Sequence, residues 1–290
     1  MATRRPHPAL YALLVASAGG AAAFGFVREA AIGALYGASR QSDAYYAAFI
    51  LPFVAAFFLV GGALAPPLTA AVAARFGSGD EAGGRALFVR ALRTLLLGGG
   101  ATALLVAAAS GPIAALLVPG FDAPARALTA SLLTTLTIYG LATSLVQLAA
   151  AGLVAAGSYR APALATLLGN ATSVAFLLGL GRGRGIEAAA WAMNAGAVVA
   201  LLALVPRLLH HGLLSRPAVP APSLPWRDTA LLVVSLATAA SVDLLERPFA
   251  STAAVGTIAL LSFASKLVHL PMRLVAAPLA SVAFPRLVKS

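Results

Sequence analysis

The chain has 290 residues, of which 60% are hydrophobic and 10% charged, and its mean hydropathy is +0.92. Because soluble domains carry about 25% charged residues, this composition excludes a soluble globular enzyme and a disordered chain. The net charge of +11 does not indicate nucleic-acid binding, since the basic residues lie mainly between apolar runs, as the positive-inside rule describes. The chain contains no cysteine, so disulfides and thiolate metal ligands are excluded.

Apolar runs of transmembrane length predict an all-α polytopic membrane protein with about eight transmembrane helices. The first run is predicted to be a retained helix rather than a cleaved signal peptide, because it continues past its small residues to Phe26. The spans are expected at residues 9–27, 43–74, 89–110, 127–154, 161–181, 186–206, 229–246 and 252–285.

Two of these spans contain prolines, which remove a backbone donor and clash with the preceding turn. Kinks are therefore predicted at Pro52 and Pro66 in the second span. The same reasoning applies to Pro271, Pro278 and Pro285 in the eighth.

The distribution of basic residues predicts the orientation of the chain. With the N-terminus inside, arginines and lysines of the cytoplasmic segments outnumber those of the outer loops by two to one. Both termini are then cytoplasmic, as is the proline-rich segment 207–227, which reads as an extended linker.

An internal repeat is indicated when the chain is compared with itself at a shift of 219 residues. The coincidences pair Arg28 with Arg247, Gly37 with Gly256, Leu51-Pro52 with Leu270-Pro271, and Pro66 with Pro285. The alternative is coincidence in a biased composition. Six spans separate the copies, which predicts a parallel repeat: a six-helix lobe over 1–206, the linker 207–227, and the first two helices of an incomplete second lobe over 228–290.

Ionisable residues inside apolar spans are costly and are therefore the first functional candidates. Asp243 and Glu246 share one face of the seventh helix, and Lys266, His269 and Arg273 share one face of the eighth. An acidic and a basic helix could pair across a hydrated cavity. The candidates for gating or ion coupling are Glu29, Asp243, Glu246, His269 and Arg273.

Simpler interpretations stand beside these. Arg28, Glu29, Glu246 and Arg247 could lie at the wet membrane interface, and His269 could be a packing histidine. The His210-His211 pair is expected in an interfacial loop rather than at a metal. No catalytic constellation and no phosphate-binding loop is found, so no enzymatic activity, metal or cofactor is expected.

Several stretches of the chain, in order and spacing, resemble the MurJ/MviN lipid II flippase family of the multidrug/oligosaccharidyl-lipid/polysaccharide exporter superfamily. They are Gly25-Phe-Val-Arg-Glu29, the segment from Tyr36 to Pro52, Pro119-Gly-Phe121, the segment 144–170, and the segment from Phe249 to Ser290. The resemblance implies MATE-like lobes around a central cavity with alternating access, in the bacterial inner membrane. The implied activity moves a lipid-linked oligosaccharide, a polyprenyl-pyrophosphate-linked glycan precursor, to the outer leaflet.

By this resemblance, Arg28, Asp43 and Lys266 are the candidate substrate-binding residues of the cavity. Lys266 stands at a position where the family has an arginine, so it keeps the charge but not the bidentate fork. Ala22 stands where the family has another arginine, and Ala56, Phe57 and Gly61 replace charged residues after the first Leu-Pro. These departures leave an alternative open, in which the chain is a degenerate or truncated half-transporter that serves as a membrane scaffold, needs a partner chain for its missing helices, or is inactive.

Overall fold

The structure is a computed structural model that describes residues 8–271. The described part of the chain is all-helical, as the apolar runs predict. Its α-helices are α1 (Pro8–Tyr36), α2 (Arg40–Phe53), α3 (Ala65–Gly77), α4 (Glu81–Thr94), α5 (Gly100–Ala108), α6 (Ser110–Leu117), α7 (Ala123–Ala155), α8 (Arg160–Leu180), α9 (Glu187–His210), α10 (Trp226–Ser251) and α11 (Thr257–Pro271).

Within residues 8–271, five helical stretches are long and apolar enough to cross a membrane, and α10 makes a sixth if its halves, bent by 40°, form one span. The five spans are Ala12–Tyr36, Glu81–Ala108, Ala123–Ala155, Arg160–Leu180 and Glu187–His210. The eight predicted spans are therefore not all distinguished. The predicted second span corresponds to α2 and α3 with the segment between them, and much of the predicted eighth lies outside the described residues.

The prolines of the second span coincide with a change in helical hydrogen bonding. Between α2 and α3, the segment Val54–Leu64 is π-helical, and it is bracketed by Pro52 near the end of α2 and Pro66 in the first turn of α3. Insertions and missing donors in the i→i−4 ladder are the usual causes of such breaks. Pro271 ends the described part of α11, and Pro278 and Pro285 lie outside the described residues.

Two predicted span ends are wrong by several residues. The first helix continues to Tyr36 rather than 27, so Arg28 and Glu29 lie inside it, and α10 continues past Arg247 to Ser251. In α1 the alanines that follow Glu29 favour continuing the helix. In α10 the helix continues through Pro248, which directly follows Arg247. Gly37, at φ +62°, follows α1 directly, and Gly256, at φ +91°, ends the turn after α10.

The central element is α7, which packs against α2, α3, α5, α6 and α9. Its two halves belong to two hydrophobic cores. Leu132, Leu133 and Leu136 are buried in one of them with Tyr45, while Leu148 and Leu153 are buried in the other with Phe88. Between membrane-spanning helices such packing stabilises the fold through close van der Waals contact, since lipid tails are as apolar as leucine.

The neighbouring helices α8 and α9 cross at two glycines. A side chain at Gly169 would lie 2.7 Å from the carbonyl oxygen of Gly196, so the backbones approach as closely as small residues allow. This crossing fixes α8 between α1 and α9 and thereby positions Asn170, which follows Gly169.

The segment between α9 and α10 is irregular, in agreement with the predicted linker, whose role as a boundary between lobes stays a prediction. It is held against α4 by Arg90, whose Nη1 donates to the carbonyl oxygens of Ala221 at 3.0 Å and Pro222 at 3.1 Å.

At the start of α4, Asp80 caps the helix. The hydrogen bonds that it accepts from the Gly83 amide and the Arg75 guanidinium hold the pKa of its carboxyl below its usual range.

Candidate functional site

A cluster of charged side chains surrounds Glu29, in the last third of α1. Its Oε1 lies 3.3 Å from Nη2 of Arg28, and its Oε2 accepts a hydrogen bond of 2.7 Å from the Tyr46 hydroxyl on α2. The same Oε2 forms an ion pair with Nζ of Lys266 on α11. One carboxylate thus joins the first, second and last helices described.

The arginine of this cluster reaches a fourth helix. Nη1 of Arg28 donates to Oδ1 of Asn170 on α8 at 3.3 Å, and Asn170 in turn donates to the carbonyl oxygen of Thr166. Within the described residues, Nε of Arg28 is buried and has no hydrogen-bond partner. A donor in that state is available to an additional acceptor.

The lysine of the cluster lies against an aromatic wall. Nζ of Lys266 is 4.5 Å from the centroid of the Tyr46 ring, a cation–π distance, and that ring makes an edge contact with Phe263 of the same helix as the lysine. The side chains of Arg28 and Glu29 are 15% and 13% exposed, whereas that of Lys266 is 39% exposed. The lysine therefore forms the accessible side of the cluster.

The arrangement combines two cations with one carboxylate in a poorly hydrated setting. With all three groups ionised, it carries one unbalanced positive charge. An anionic ligand could replace Glu29 as the partner of Lys266 and Arg28 and would gain charge-assisted hydrogen bonds from both. The described residues include no group of three histidine, cysteine or acidic side chains suited to a metal ion.

A second cluster lies at the N-terminal ends of α2 and α11. Both oxygens of Asp43 are occupied, because Oδ2 accepts from the Gly256 amide at 2.7 Å and Oδ1 from the Ala259 amide at 2.9 Å. The carboxylate therefore caps the N-terminus of α11 from another helix, where the helix dipole favours a negative charge. Arg40 lies 3.9 Å from Asp43.

Contacts at the same end of the molecule explain the Pro119-Gly-Phe121 motif. A side chain on Gly120 would collide with the backbone of Ser251, whose Oγ accepts from the Gly120 amide at 3.1 Å. The Phe121 ring lies 4.5 Å from the Arg40 guanidinium carbon. Only a glycine lets this loop approach the end of α10 so closely.

The structure thus brings Arg28, Glu29 and Lys266 together and gives Asp43 a different set of contacts. Glu246 is half-buried on α10, and Lys266 pairs with Glu29 on α1. The side chains of Asp243 and His269 are outside what the structure describes, and Arg273 lies beyond the described residues. The assignment of these residues to substrate binding, gating or coupling stays a prediction.

Two contributors to the cluster around Glu29 are not identified by the sequence. Tyr46 and Asn170 complete the shell of Glu29 and Arg28. Arg247, for which the sequence allows a wet-interface position, is buried and donates to Oγ of Ser262 at 3.0 Å. An asparagine inside an apolar span is a usable signal, because polar side chains at that depth hydrogen-bond across helices. A tyrosine in an aromatic-rich stretch gives no comparable signal.

The fold is that of the MATE-type transporters of the MOP superfamily. The structure is similar to the inward-facing form of a multidrug resistance MATE family transporter of this superfamily, with a TM-score of 0.60 and 18% identity, over 90% of this chain and 58% of that one. It is also similar to a MOP superfamily transporter from Pyrococcus furiosus whose binding pocket has reversed polarity, with a TM-score of 0.58 and 16% identity, over 90% of this chain and 59% of that one.

The family itself is shown by sequence. Residues 32–290 match the family model described as lipid II flippase MurJ, so the chain belongs to the MurJ lipid II flippase family. It is an integral membrane protein of a transporter family, as its apolar helices and the resemblance of its motifs predict. A comparison with curated proteins gives no match. The chain spans somewhat less than three fifths of the length of the two similar structures.

Proposed function

We propose that this chain moves a polyprenyl-pyrophosphate-linked glycan across the bacterial inner membrane by alternating access, with the cluster around Glu29 as the site that binds the pyrophosphate. The observation that carries the proposal is the convergence of Arg28 and Lys266 on a single carboxylate, with Lys266 on the accessible side. Pyrophosphate carries more negative charge than Glu29 and could replace it as the partner of both cations.

Three further features support this choice. Membership of the MurJ family supports this substrate class, and the structural neighbours support a transporter fold. The buried Nε of Arg28 supplies a donor that has no partner within the described residues. The proposed orientation keeps both termini cytoplasmic, with the loops at Ser78 and Ser158 inside and the loop at Asp122 outside, because the basic residues are concentrated at the first two.

The test is transport of a lipid II that carries a fluorescent head group in liposomes containing the full chain. A membrane-impermeant quencher added outside reports the fraction of label that is accessible in the outer leaflet over time. Lys266→Gln is expected to lower the rate roughly tenfold or more, because a hydrogen bond to a charged group contributes about 1.5–3 kcal/mol. Lys266→Arg keeps the charge and is expected to retain transport.

The matched control is Arg182→Gln, which removes one exposed positive charge from the loop between α8 and α9. It is expected to leave the rate unchanged. Equal loss in Lys266→Gln and Arg182→Gln would show that overall charge, not the cluster, governs transport. Full activity of Lys266→Gln would remove Lys266 from the site.

A wild-type chain that is folded but does not transport would overturn the proposal. The chain would then act as a scaffold or as an inactive lobe that needs a partner chain. In that case, substitutions in the cluster are expected to change stability without changing any transport rate.

A further inference from the structure

A groove of about 610 Å³ lies where the start of α8 meets the end of α9. Two arginines line it: Arg160 in the first turn of α8 and Arg207 in the last turn of α9. Both side chains are exposed, and no hydrogen bond or ion pair to either is found within the described residues. The groove therefore concentrates positive charge that the described part of the protein does not neutralise.

The rest of the wall is apolar and faces outward. Leu164 and Leu168, one turn apart on α8, are 47% and 48% exposed, and Ala203 of α9 continues the surface. Tyr159, which precedes Arg160, is also exposed, as expected of an aromatic ring at the membrane interface. A strip of exposed leucines below a pair of arginines matches the shape of a lipid, with its head group at the interface and a chain along the helix.

We infer that this groove binds an anionic glycerophospholipid of the cytoplasmic leaflet, whose phosphate is held by Arg160 and Arg207 and whose acyl chain lies along Leu164 and Leu168. Charge selects the class, because two unneutralised guanidinium groups favour a lipid with net negative charge over a zwitterionic one. The apolar strip selects a lipid over free phosphate, because a soluble anion would leave the leucines uncovered. The assignment of the groove to the cytoplasmic leaflet rests on the proposed orientation, whereas the assignment of the lipid class does not.

The site differs in location and chemistry from the proposed transport site. Its two cations come from α8 and α9, whereas the cluster around Glu29 joins α1, α2 and α11 with Asn170 of α8. Along α8, Arg160 and Asn170 are separated by about 15 Å of helix, at 1.5 Å per residue. Because α8 touches both places, a lipid here would also stabilise the helix that positions the Arg28 partner.

The test is native mass spectrometry of the full chain, delipidated in detergent and titrated with phosphatidylglycerol or with phosphatidylcholine of the same acyl chains. Phosphatidylglycerol is expected to bind in preference. Arg160→Gln with Arg207→Gln is expected to weaken its binding by about 30-fold, since each basic residue near anionic lipid contributes about 1 kcal/mol. The matched control, Arg182→Gln with Arg184→Gln, removes two exposed arginines from the other end of α8 and is expected to leave binding unchanged.

Two further measurements test whether the acyl chain contributes to binding and whether the site takes a soluble phosphate instead of a lipid. Leu168→Asn is expected to weaken phosphatidylglycerol binding while leaving the arginines in place, and soluble glycerol phosphate is expected not to compete. Equal binding of the two lipids, equal loss in the two double variants, or competition by glycerol phosphate would each overturn the inference. A thermal unfolding curve of each variant without lipid shows that it is folded. Because no transport is measured, failure here leaves the proposed function untouched.

Discussion

Glu29 has partners on three helices for its two carboxylate oxygens. Arg28 lies on one side of it, with Asn170 behind the arginine, and Tyr46 and Lys266 lie on the other. A charge in a poorly hydrated setting is tolerated only when it is paired and hydrogen-bonded, so each member of this set depends on the others. The Glu29 carboxylate therefore holds Arg28 and Lys266 in position, and the two cations in turn are the groups that would bind an anionic ligand.

Glu29→Gln tests this dependence. The glutamine keeps the shape but leaves Arg28 and Lys266 as neighbouring cations without a counter-charge, and the chain is expected to lose about 1–3 kcal/mol of unfolding free energy. Lys266→Met in the same chain removes one of the two cations and is expected to recover part of that loss. The measurement is chemical denaturation in mixed micelles, with the coupling of the two substitutions expected to be at least about 1 kcal/mol.

Glu81→Gln is the control for this experiment. Glu81 pairs with Arg85 on α4, and both side chains are well exposed, so its loss is expected to change the unfolding free energy by less than about 0.5 kcal/mol. Additive effects of Glu29→Gln and Lys266→Met would show that the two side chains do not interact in the folded protein.

The sequence predicts the charged members of this site but not their pairing. Lys266 stands out because ionisable residues in apolar spans are rare. Arg28 becomes a candidate only through the family resemblance, and Glu29 lies beside it just after the predicted first span. Their partners depend on which helices touch. The contact of α2 with α11 is a tertiary contact, which no local sequence pattern predicts. For that reason the sequence gives no indication that Lys266 and Tyr46 both contact Glu29.

At the scale of the helices, the sequence predicts which segments are helical more accurately than it predicts where each helix ends. The apolar runs predict the helices, and the two prolines of the second span predict its interruption. The ends of α1 and α10 depend on whether a charged residue inside a helix finds a partner, which is again tertiary. The corresponding glycines Gly37 and Gly256 share a positive φ, and Gly256 packs against the backbone of Ala38, so the two loops of the predicted repeat touch each other.

Asp43 joins two of these helices, and Asp43→Ala tests that link. Removing the carboxylate leaves the amides of Gly256 and Ala259 without their acceptor, so their hydrogen exchange is expected to accelerate by about 10- to 100-fold. Asp43→Asn keeps one acceptor oxygen and is expected to give an intermediate rate. The measurement is hydrogen–deuterium exchange of α11 in detergent.

The control is Asp122→Ala, which removes a cap that α7 receives from its own preceding residue, through the Ala125 amide at 3.1 Å. It is expected to accelerate exchange at the start of α7 and leave α11 unchanged. Unchanged exchange at Gly256 in Asp43→Ala would mean that the carboxylate does not stabilise α11.

At the scale of the whole molecule, the long helix α7 separates two ends of different charge. Its 33 residues extend over about 50 Å, enough to cross the bilayer and its head groups. The loops near Ser78 and Ser158 lie at the basic end, and the loop at Asp122 lies at the other. The distribution of basic residues predicts that the first end is cytoplasmic.

Labelling of single cysteines tests this orientation without background, because the chain contains none. Ser78 and Ala123 are both exposed and lie at opposite ends of the molecule. In intact cells, a membrane-impermeant maleimide is expected to label Ala123→Cys, and Ser78→Cys only after the membrane is permeabilised. The opposite pattern would reverse the proposed topology and place the lipid groove in the other leaflet.

The cap on α11 also has a consequence for how the chain is made. Asp43 and the Gly256 amide that donates to it are 213 residues apart in the chain. At a synthesis rate of about 5–20 residues per second, the aspartate enters the membrane region about 10–40 s before that donor exists. During that time its carboxylate must remain hydrated or find a temporary partner. Because α11 is synthesised long after α1 and α2, the contacts of Asp43 with α11 can form only late in synthesis.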